Sequence, residues 1–344
     1  MGKNNKLKVA IIGCGRIASL FSKDPLRQGI VTHAAAYKDN KDIELIAACD
    51  IDKNRLEDFG KTWGVKALYT DYNELFQKEK LDIVSICTWE GTHYDIARTA
   101  ISEGVKAIFC EKPITDNLAK ADELVRLSRK EKVIFAVNHS RRWDKLEWKI
   151  KNIIESKKLG EIQSVSAYYT AGISNTGTHL IDLLRFILGE AEWVWANPKI
   201  KNQANDPTID GFIYFKNGFS CALHGLNVKS YVIFEIDIYG TKGRLRIQNS
   251  GFGATMWKVI KSPRFSGYYE LGTESVDLGD GYQDVLKNAV KDIVECVKEK
   301  RETLSTALDG TRTLEIITAL HESLRAGGLR INLPLLDRDV TIKK

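Results

Sequence analysis

Up to about residue 138 the chain repeats one pattern: a short, almost uniformly apolar run, a stretch of helical character, then another apolar run. The runs are 8–13 (KVAIIG), 43–50 (IELIAACD), 66–70 (KALYT), 82–87 (DIVSIC), 106–110 (KAIFC) and 133–137 (VIFAV). Strands without alternation of polar and apolar positions are buried on both faces, and the helices between them supply the cover. Few folds meet that requirement. The spacing predicts a doubly wound parallel sheet, with helices over 92–103 and 117–130 among its connections.

Past residue 139 the pattern changes. A polar helix is expected over 141–158, then strands within 162–170, 211–225 and 231–248. KNG at 216–218 and GTKG at 240–243 carry the glycine chemistry of hairpin turns. Strands with few helices between them suggest one large, mostly antiparallel open sheet, followed by helices near 282–300 and 310–326. The expected fold class is α/β followed by α+β, in two domains, 1–138 and 139–344. A length of 344 residues fits that division.

Composition narrows the class further. The chain is 43% hydrophobic and 28% charged, ordinary for a globular protein. No apolar run approaches the roughly 18 residues of a membrane span, and none near the N-terminus has signal-peptide length. The six cysteines form no CxxC pair, and four sit in or just after strand-like runs, where cysteine acts as a small hydrophobe. A reducing cytoplasm is expected, with neither disulfide nor metal. The net charge of +6 is scattered. It reads as a solvated surface or as a positive field guiding an anionic ligand. No nucleic-acid motif is present.

The first apolar run ends in Gly13-Cys14-Gly15-Arg16-Ile17-Ala18 and is expected to lead into a helix. Gly13 permits a tight turn, Gly15 lets the backbone approach a pyrophosphate, and Ala18 allows close helix packing. The helix N-terminus would then face the phosphates. Asp50, at the end of the second run and followed by Ile51, falls beyond the usual spacing of about 20 residues. The stretch 19–37 lengthens the crossover. A carboxylate there accepts from ribose hydroxyls and repels a 2′-phosphate, so NAD is expected over NADP. The alternative is a turn aspartate ahead of the next helix, and Arg55 could still bring in a 2′-phosphate.

Two further stretches carry chemistry. Glu111-Lys112-Pro113 lies past the C-terminal end of a parallel strand, where such sheets bind ligands. The proline stiffens the turn and biases Lys112 toward extended backbone, and an ammonium beside a reacting hydroxyl stabilises developing alkoxide. In SNTGTH (174–179), Asn175 and His179 are four apart and share a face if the helix expected over 176–188 has begun. Asn175 can cap that helix or hydrogen-bond His179 or a substrate hydroxyl. Asp182 can orient the imidazole or simply suit the helix start.

These stretches, with CTWEGTH (87–93), NHSRRWD (138–144), GTHLIDLL (177–184), YGTKGRLRI (239–247) and DGTRTLEIITALHESLRAG (309–327), resemble the glucose–fructose oxidoreductase and inositol dehydrogenase family (Gfo/Idh/MocA). The resemblance covers essentially the whole chain. It implies an NAD(H)-dependent oxidoreductase of sugars, nucleotide sugars or cyclitols. The first domain would bind the cofactor, and the second the substrate and other copies in a homodimer or homotetramer. It makes Lys112 the catalytic lysine and His179 the acid/base, with Asn175 standing where relatives often have Asp. It sets Thr88, His93 and Glu111 beside the cofactor; Trp89, replacing a frequent proline, either packs against the cofactor or covers the sheet edge. It also points to substrate contacts by Arg142, in a segment where Ser140 replaces a frequent asparagine. The same fold also serves enzymes with internal NAD turnover, epimerase- or glycosidase-like, and non-catalytic regulators.

Overall fold

The computed structural model describes residues 6–198 and 206–342; residues 1–5, on which the reading of the N-terminus partly rests, lie outside that range. Two compact units divide the chain. One runs to Trp143 and takes in Asp284–Arg312; the other holds Asp144–Gln283 and Thr313 onward. In place of a single boundary after residue 138, the chain leaves the first unit, returns to it and leaves again. The return has a packing cause. The helix Val285–Glu299 buries Leu286, Ala289, Val290, Ile293 and Val294 in the core of the first sheet.

The first unit runs β1 (Leu7–Ile12), α1 (His33–Asp39), β2 (Ile43–Cys49), α2 (Lys53–Trp63), β3 (Ala67–Tyr69), α3 (Tyr72–Lys78), β4 (Ile83–Ile86), α4 (His93–Ser102), β5 (Ala107–Cys110), α5 (Leu118–Lys130), β6 (Ile134–Val137). The strands form one parallel sheet in the order β3-β2-β1-β4-β5-β6. Every residue of β4 and β5 is buried, as unbroken apolar runs require. Strand order reverses between β1 and β4, and the loops leaving their C-terminal ends diverge there. The outer edge, β6, is paired: Val137 N–H donates to the Ser305 carbonyl (3.0 Å) and Ser305 Oγ donates to the Val137 carbonyl (2.7 Å).

The helix expected straight after the glycine loop is corrected by the structure. Residues 16–19 form a turn, Leu20–Lys23 a short 3-10 segment, and the α-helix of this crossover starts only at His33. Ser19 and Leu20 N–H both donate to the Gly15 carbonyl (3.0 and 3.2 Å) and Phe21 N–H to that of Arg16 (2.9 Å), a winding too wide to propagate as an α-helix. Asp24, preceding Pro25, is then extended, which ends the segment.

The second unit contains α6 (Lys145–Glu155), β7 (Ile162–Tyr169), α7 (Gly177–Leu188), β8 (Ala191–Ala196), β9 (Gly211–Phe215), β10 (Ser220–Gly225), β11 (Phe234–Gly240), β12 (Gly243–Gln248), β13 (Gly253–Lys261), β14 (Tyr269–Asp280) and β15 (Ile331–Asn332). Its sheet has nine strands, β14-β13-β12-β11-β7-β10-β9-β8-β15, antiparallel except for β7 beside β10. Val165, Ala167 and Tyr169 of β7 are buried and alternate with Ser164, Ser166 and Tyr168; α7 packs on this strand and buries Leu180, Leu183, Leu184 and Ile187. α8 (Val285–Glu299) belongs to the first unit, and α9 (Ala307–Arg325) begins there and ends in the second. No helix among the described residues is long and apolar enough to cross a membrane, and all six cysteines are buried free thiols.

Candidate functional site

In the first unit the chemistry-bearing loops leave the C-terminal ends of β1, β2, β4 and β5. Gly13 has φ +91°, and a Cβ there would lie 2.7 Å from the Cys87 carbonyl carbon, so only glycine lets β1 pass the end of β4. A Cβ on Gly15 would meet nothing within 4 Å, which leaves that stretch of backbone open to a ligand. Asp50 follows β2 and is 6% exposed. Its Oδ2 accepts the Cys14 N–H at 2.7 Å, its Oδ1 accepts the Asp52 N–H at 2.9 Å, and Arg55 Nη1 stands 3.3 Å from Oδ2. The carboxylate therefore sits against the glycine loop itself. Around it Cys14 is buried, Ile17 partly so, and Arg16 and Ile51 are exposed. An open glycine backbone, a carboxylate ending β2 and a strand-order reversal together fit a dinucleotide.

The loops after β4 and β5 are tied to each other by His93. Its Nδ1 lies 2.9 Å from the Pro113 carbonyl and its Nε2 3.1 Å from that of Thr88. Burial lowers the imidazole pKa, and the two carbonyls oppose that shift without reversing it. Thr88 accepts from Thr92 Oγ1 (2.8 Å), while Trp89 is 69% exposed. Arg142 is buried, with Nη2 3.1 Å from Asp309 Oδ1.

Glu111 and Lys112 follow β5. Lys112 is partly buried. The Glu111 carboxylate turns inward: Oε1 accepts Asn138 Nδ2 at 2.6 Å and lies 3.0 Å from His33 Nε2. Burial alone would raise its pKa, but the His33 and Asn138 hydrogen bonds and the Lys112 ammonium outweigh it and hold the carboxyl below its ordinary value. His33, Asn138, Ser85 and Tyr37 carry no local sequence signal for this role. They meet only because the sheet brings four segments together.

In the second unit, Asn175 and His179 flank the junction of a π-helical turn, Gly172–Thr176, with α7. Asn175 is exposed and His179 partly buried. The capping reading of Asn175 is corrected: it lies inside the π turn, and the N-cap positions, Ala171 and Thr176, make no side-chain cap. A strap at 206–208 caps instead. Asp206 Oδ1 accepts the Ser174 N–H (2.7 Å) and Oδ2 the Asn175 N–H (3.0 Å). The Pro207 carbonyl accepts the Ile173 N–H (2.9 Å), and Thr208 Oγ1 the Gly172 N–H (3.1 Å). Four successive donors at a helix start thus find acceptors in one segment. Behind the turn, Ser174 Oγ lies 3.5 Å from His321 Nε2, an imidazole that burial first, and Arg325 second, pull down to about 4. Asp182 is buried, accepts Thr313 Oγ1 at 3.2 Å and stands 3.6 Å from Arg185 Nη1.

A reversed parallel sheet with an open glycine turn and a carboxylate behind it defines a dinucleotide-binding α/β protein. Residues 7–139 match the oxidoreductase family's NAD-binding Rossmann fold, and residues 168–333 its C-terminal alpha/beta domain. The chain belongs to this family, Gfo/Idh/MocA, and its first unit is an NAD-binding Rossmann domain. It is 26% identical to a myo-inositol 2-dehydrogenase of Thermotoga maritima, over 92% of this chain and 96% of that protein. It is 29% identical to a D-apiose dehydrogenase of Rhizobium rhizogenes, over 70% and 73%. The WlbA dehydrogenase of Bordetella pertussis, crystallised with NADH and UDP-GlcNAcA, shares the fold with a TM-score of 0.77 at 19% identity, covering 96% of this chain and 100% of that one.

Proposed function

We propose that this chain is an NAD(H)-dependent dehydrogenase or reductase acting at a CH–OH carbon of a sugar, nucleotide sugar or cyclitol. One observation carries the reading: a single parallel sheet bears the open Gly15 backbone with Asp50 beside it and, two strands away, Lys112 at the end of β5. Relatives named for inositol and apiose support the substrate class. Bound NAD(H) would supply or accept the hydride. The first unit would hold it through Gly13, Cys14, Gly15, Arg16 and Ile17, with Asp50 and Ile51 at the adenosine end and Thr88 and Trp89 lining the loop after β4. His93 and Glu111 support those loops from behind. The Asp50 carboxylate favours ribose hydroxyls over a 2′-phosphate, hence NAD over NADP.

The Lys112 ammonium stabilises the charge that develops on the substrate oxygen. His179 takes or returns the hydroxyl proton, a role open to an imidazole because its ring nitrogens can both accept and donate. Asn175 does not titrate, so its part is to orient His179 or the hydroxyl, and Arg142 borders the substrate. The sheet of the second unit offers an interface for a homodimer or homotetramer, with Phe212 (42%) and Tyr239 (37%) exposed on it. Six buried thiols accord with the cytoplasm.

The test is a panel of cyclitols, free sugars and nucleotide sugars, each offered with NAD⁺ and with NADP⁺ while nicotinamide absorbance is followed. NAD⁺ reduction faster than NADP⁺ reduction with at least one class is the expected result. Product formed without net NADH would instead indicate internal cofactor turnover, and NADH binding without any product a regulator.

A further inference from the structure

Five buried polar side chains form a line through the first unit. Tyr37 OH lies 2.5 Å from Ser85 Oγ, Ser85 Oγ 2.9 Å from His33 Nδ1, His33 Nε2 3.0 Å from Glu111 Oε1, and Asn138 Nδ2 donates to the same oxygen at 2.6 Å. None is more than 8% exposed. The carboxylate can only accept, so Nε2 carries the proton that meets it. Ser85 Oγ bridges the other ring nitrogen, Nδ1, and the Tyr37 hydroxyl. The ring also packs against Phe109, 4.4 Å between centroids and tilted by 33°.

The backbone of the same residue reaches the glycine loop. His33 N–H donates to the Ile17 carbonyl (3.1 Å) and Ala34 N–H to that of Ala18 (3.0 Å). One residue thus spans from the turn after β1 to the residue beside Lys112.

We infer that His33 is a positioning residue for Lys112, holding the Glu111 carboxylate inward so that it does not neutralise the neighbouring ammonium. This rests on Lys112 being the stabiliser of the substrate oxygen. Without the imidazole, Oε1 keeps only Asn138, and a buried carboxylate short of donors seeks the next one. Lys112 is that donor: its backbone N–H already lies 3.4 Å from Glu111 Oε2, and its ammonium already acts on the carboxyl. A carboxylate that turns to Lys112 cancels the charge the reaction needs, while Gly15 and Asp50 keep their hold on the cofactor.

The test compares His33→Ala, His33→Gln, Ser85→Ala and Lys112→Ala in the full-length chain. It measures NADH affinity by fluorescence titration, kcat with the fastest substrate of the panel above, and thermal melting. His33→Ala should lose about a hundredfold in kcat, the scale of an ångström of misplacement, with NADH affinity unchanged. His33→Gln, whose amide can donate to Glu111, should recover much of it. Ser85→Ala, a milder change that carries the test should His33→Ala not fold, should lower kcat with NADH affinity unchanged.

Native kcat in His33→Ala or Ser85→Ala, alongside an inactive Lys112→Ala, would overturn the inference alone. So would parallel loss of kcat and NADH affinity without rescue by Gln, the mark of a purely structural residue. Full turnover in Lys112→Ala would overturn the reading of Lys112, and this inference with it.

Discussion

Lys112 stands on one turn and His179 just past another, and the two turns are immobilised in opposite ways. Beside Lys112 the hold is side chain on side chain: Glu111 on His33 and Asn138, each nearly inaccessible. Ahead of His179 it is backbone on strap: the N–H groups of residues 172–175 on Asp206, Pro207 and Thr208. A turn held through its backbone keeps its shape when a side chain on it changes. A turn held through side chains fixes the identity of each residue in the line. Residue 175 is asparagine here, where the resemblance leads one to expect aspartate, and what the strap holds is its backbone N–H, which any side chain would leave in place. Glu111 has no such latitude.

The largest effect should come from the side-chain-held turn. Lys112→Ala should leave NADH affinity in place and lower turnover by about two or more decades, the scale of a lost electrostatic stabiliser. Near-native turnover measured on the true substrate would make Lys112 structural and remove one side of the comparison. The backbone-held turn should break more gently. Asp206→Ala leaves the Ser174 and Asn175 N–H groups without their acceptor, at a cost of about 1–2 kcal/mol by analogy with a lost N-cap. The melting temperature should fall and kcat with it, by about tenfold if the turn shifts His179 by a fraction of an ångström. NADH affinity should stay where it is. Asp206→Asn, which keeps one acceptor oxygen, should lie between. Wild-type kcat in a destabilised Asp206→Ala would show that the strap ties the unit together without shaping the site.

The same contrast explains what the sequence discloses. The six strands of the first sheet lie within a residue or two of the apolar runs, because burial on both faces writes itself into consecutive residues. The hairpins at 216–218 and 240–243 are legible from their glycines. β14 is not, since its residues are nearly all exposed and no period marks an inner face. The glycine loop is legible; the loss of its following α-helix follows from the width of one turn, which no composition shows. Lys112, Asn175 and His179 belong to recognisable stretches. Their supports do not: His33 lies far from Glu111 in the chain, and Asp206 far from Ser174, so each pairing exists only through the fold.

The smallest expected effect is also the one that separates shaping from chemistry at residue 175. Asn175→Asp should leave the π turn intact, because Asp206 and its strap hold the backbone, so the melting temperature should barely move. What changes is charge. A carboxylate near His179 favours the imidazolium and raises its pKa. Oxidation of the substrate needs the neutral imidazole, so the rising limb of kcat against pH should move to higher pH. Because residue 175 is exposed, solvent screens the interaction and the movement should stay below about one pH unit. Added salt should shrink it further. The control is His179→Ala, which should abolish the limb altogether. An unmoved limb in Asn175→Asp, together with an active His179→Ala that keeps the same profile, would place the base elsewhere. Lys112 would then be the next candidate, and the strap-held turn would be scaffolding for substrate alone.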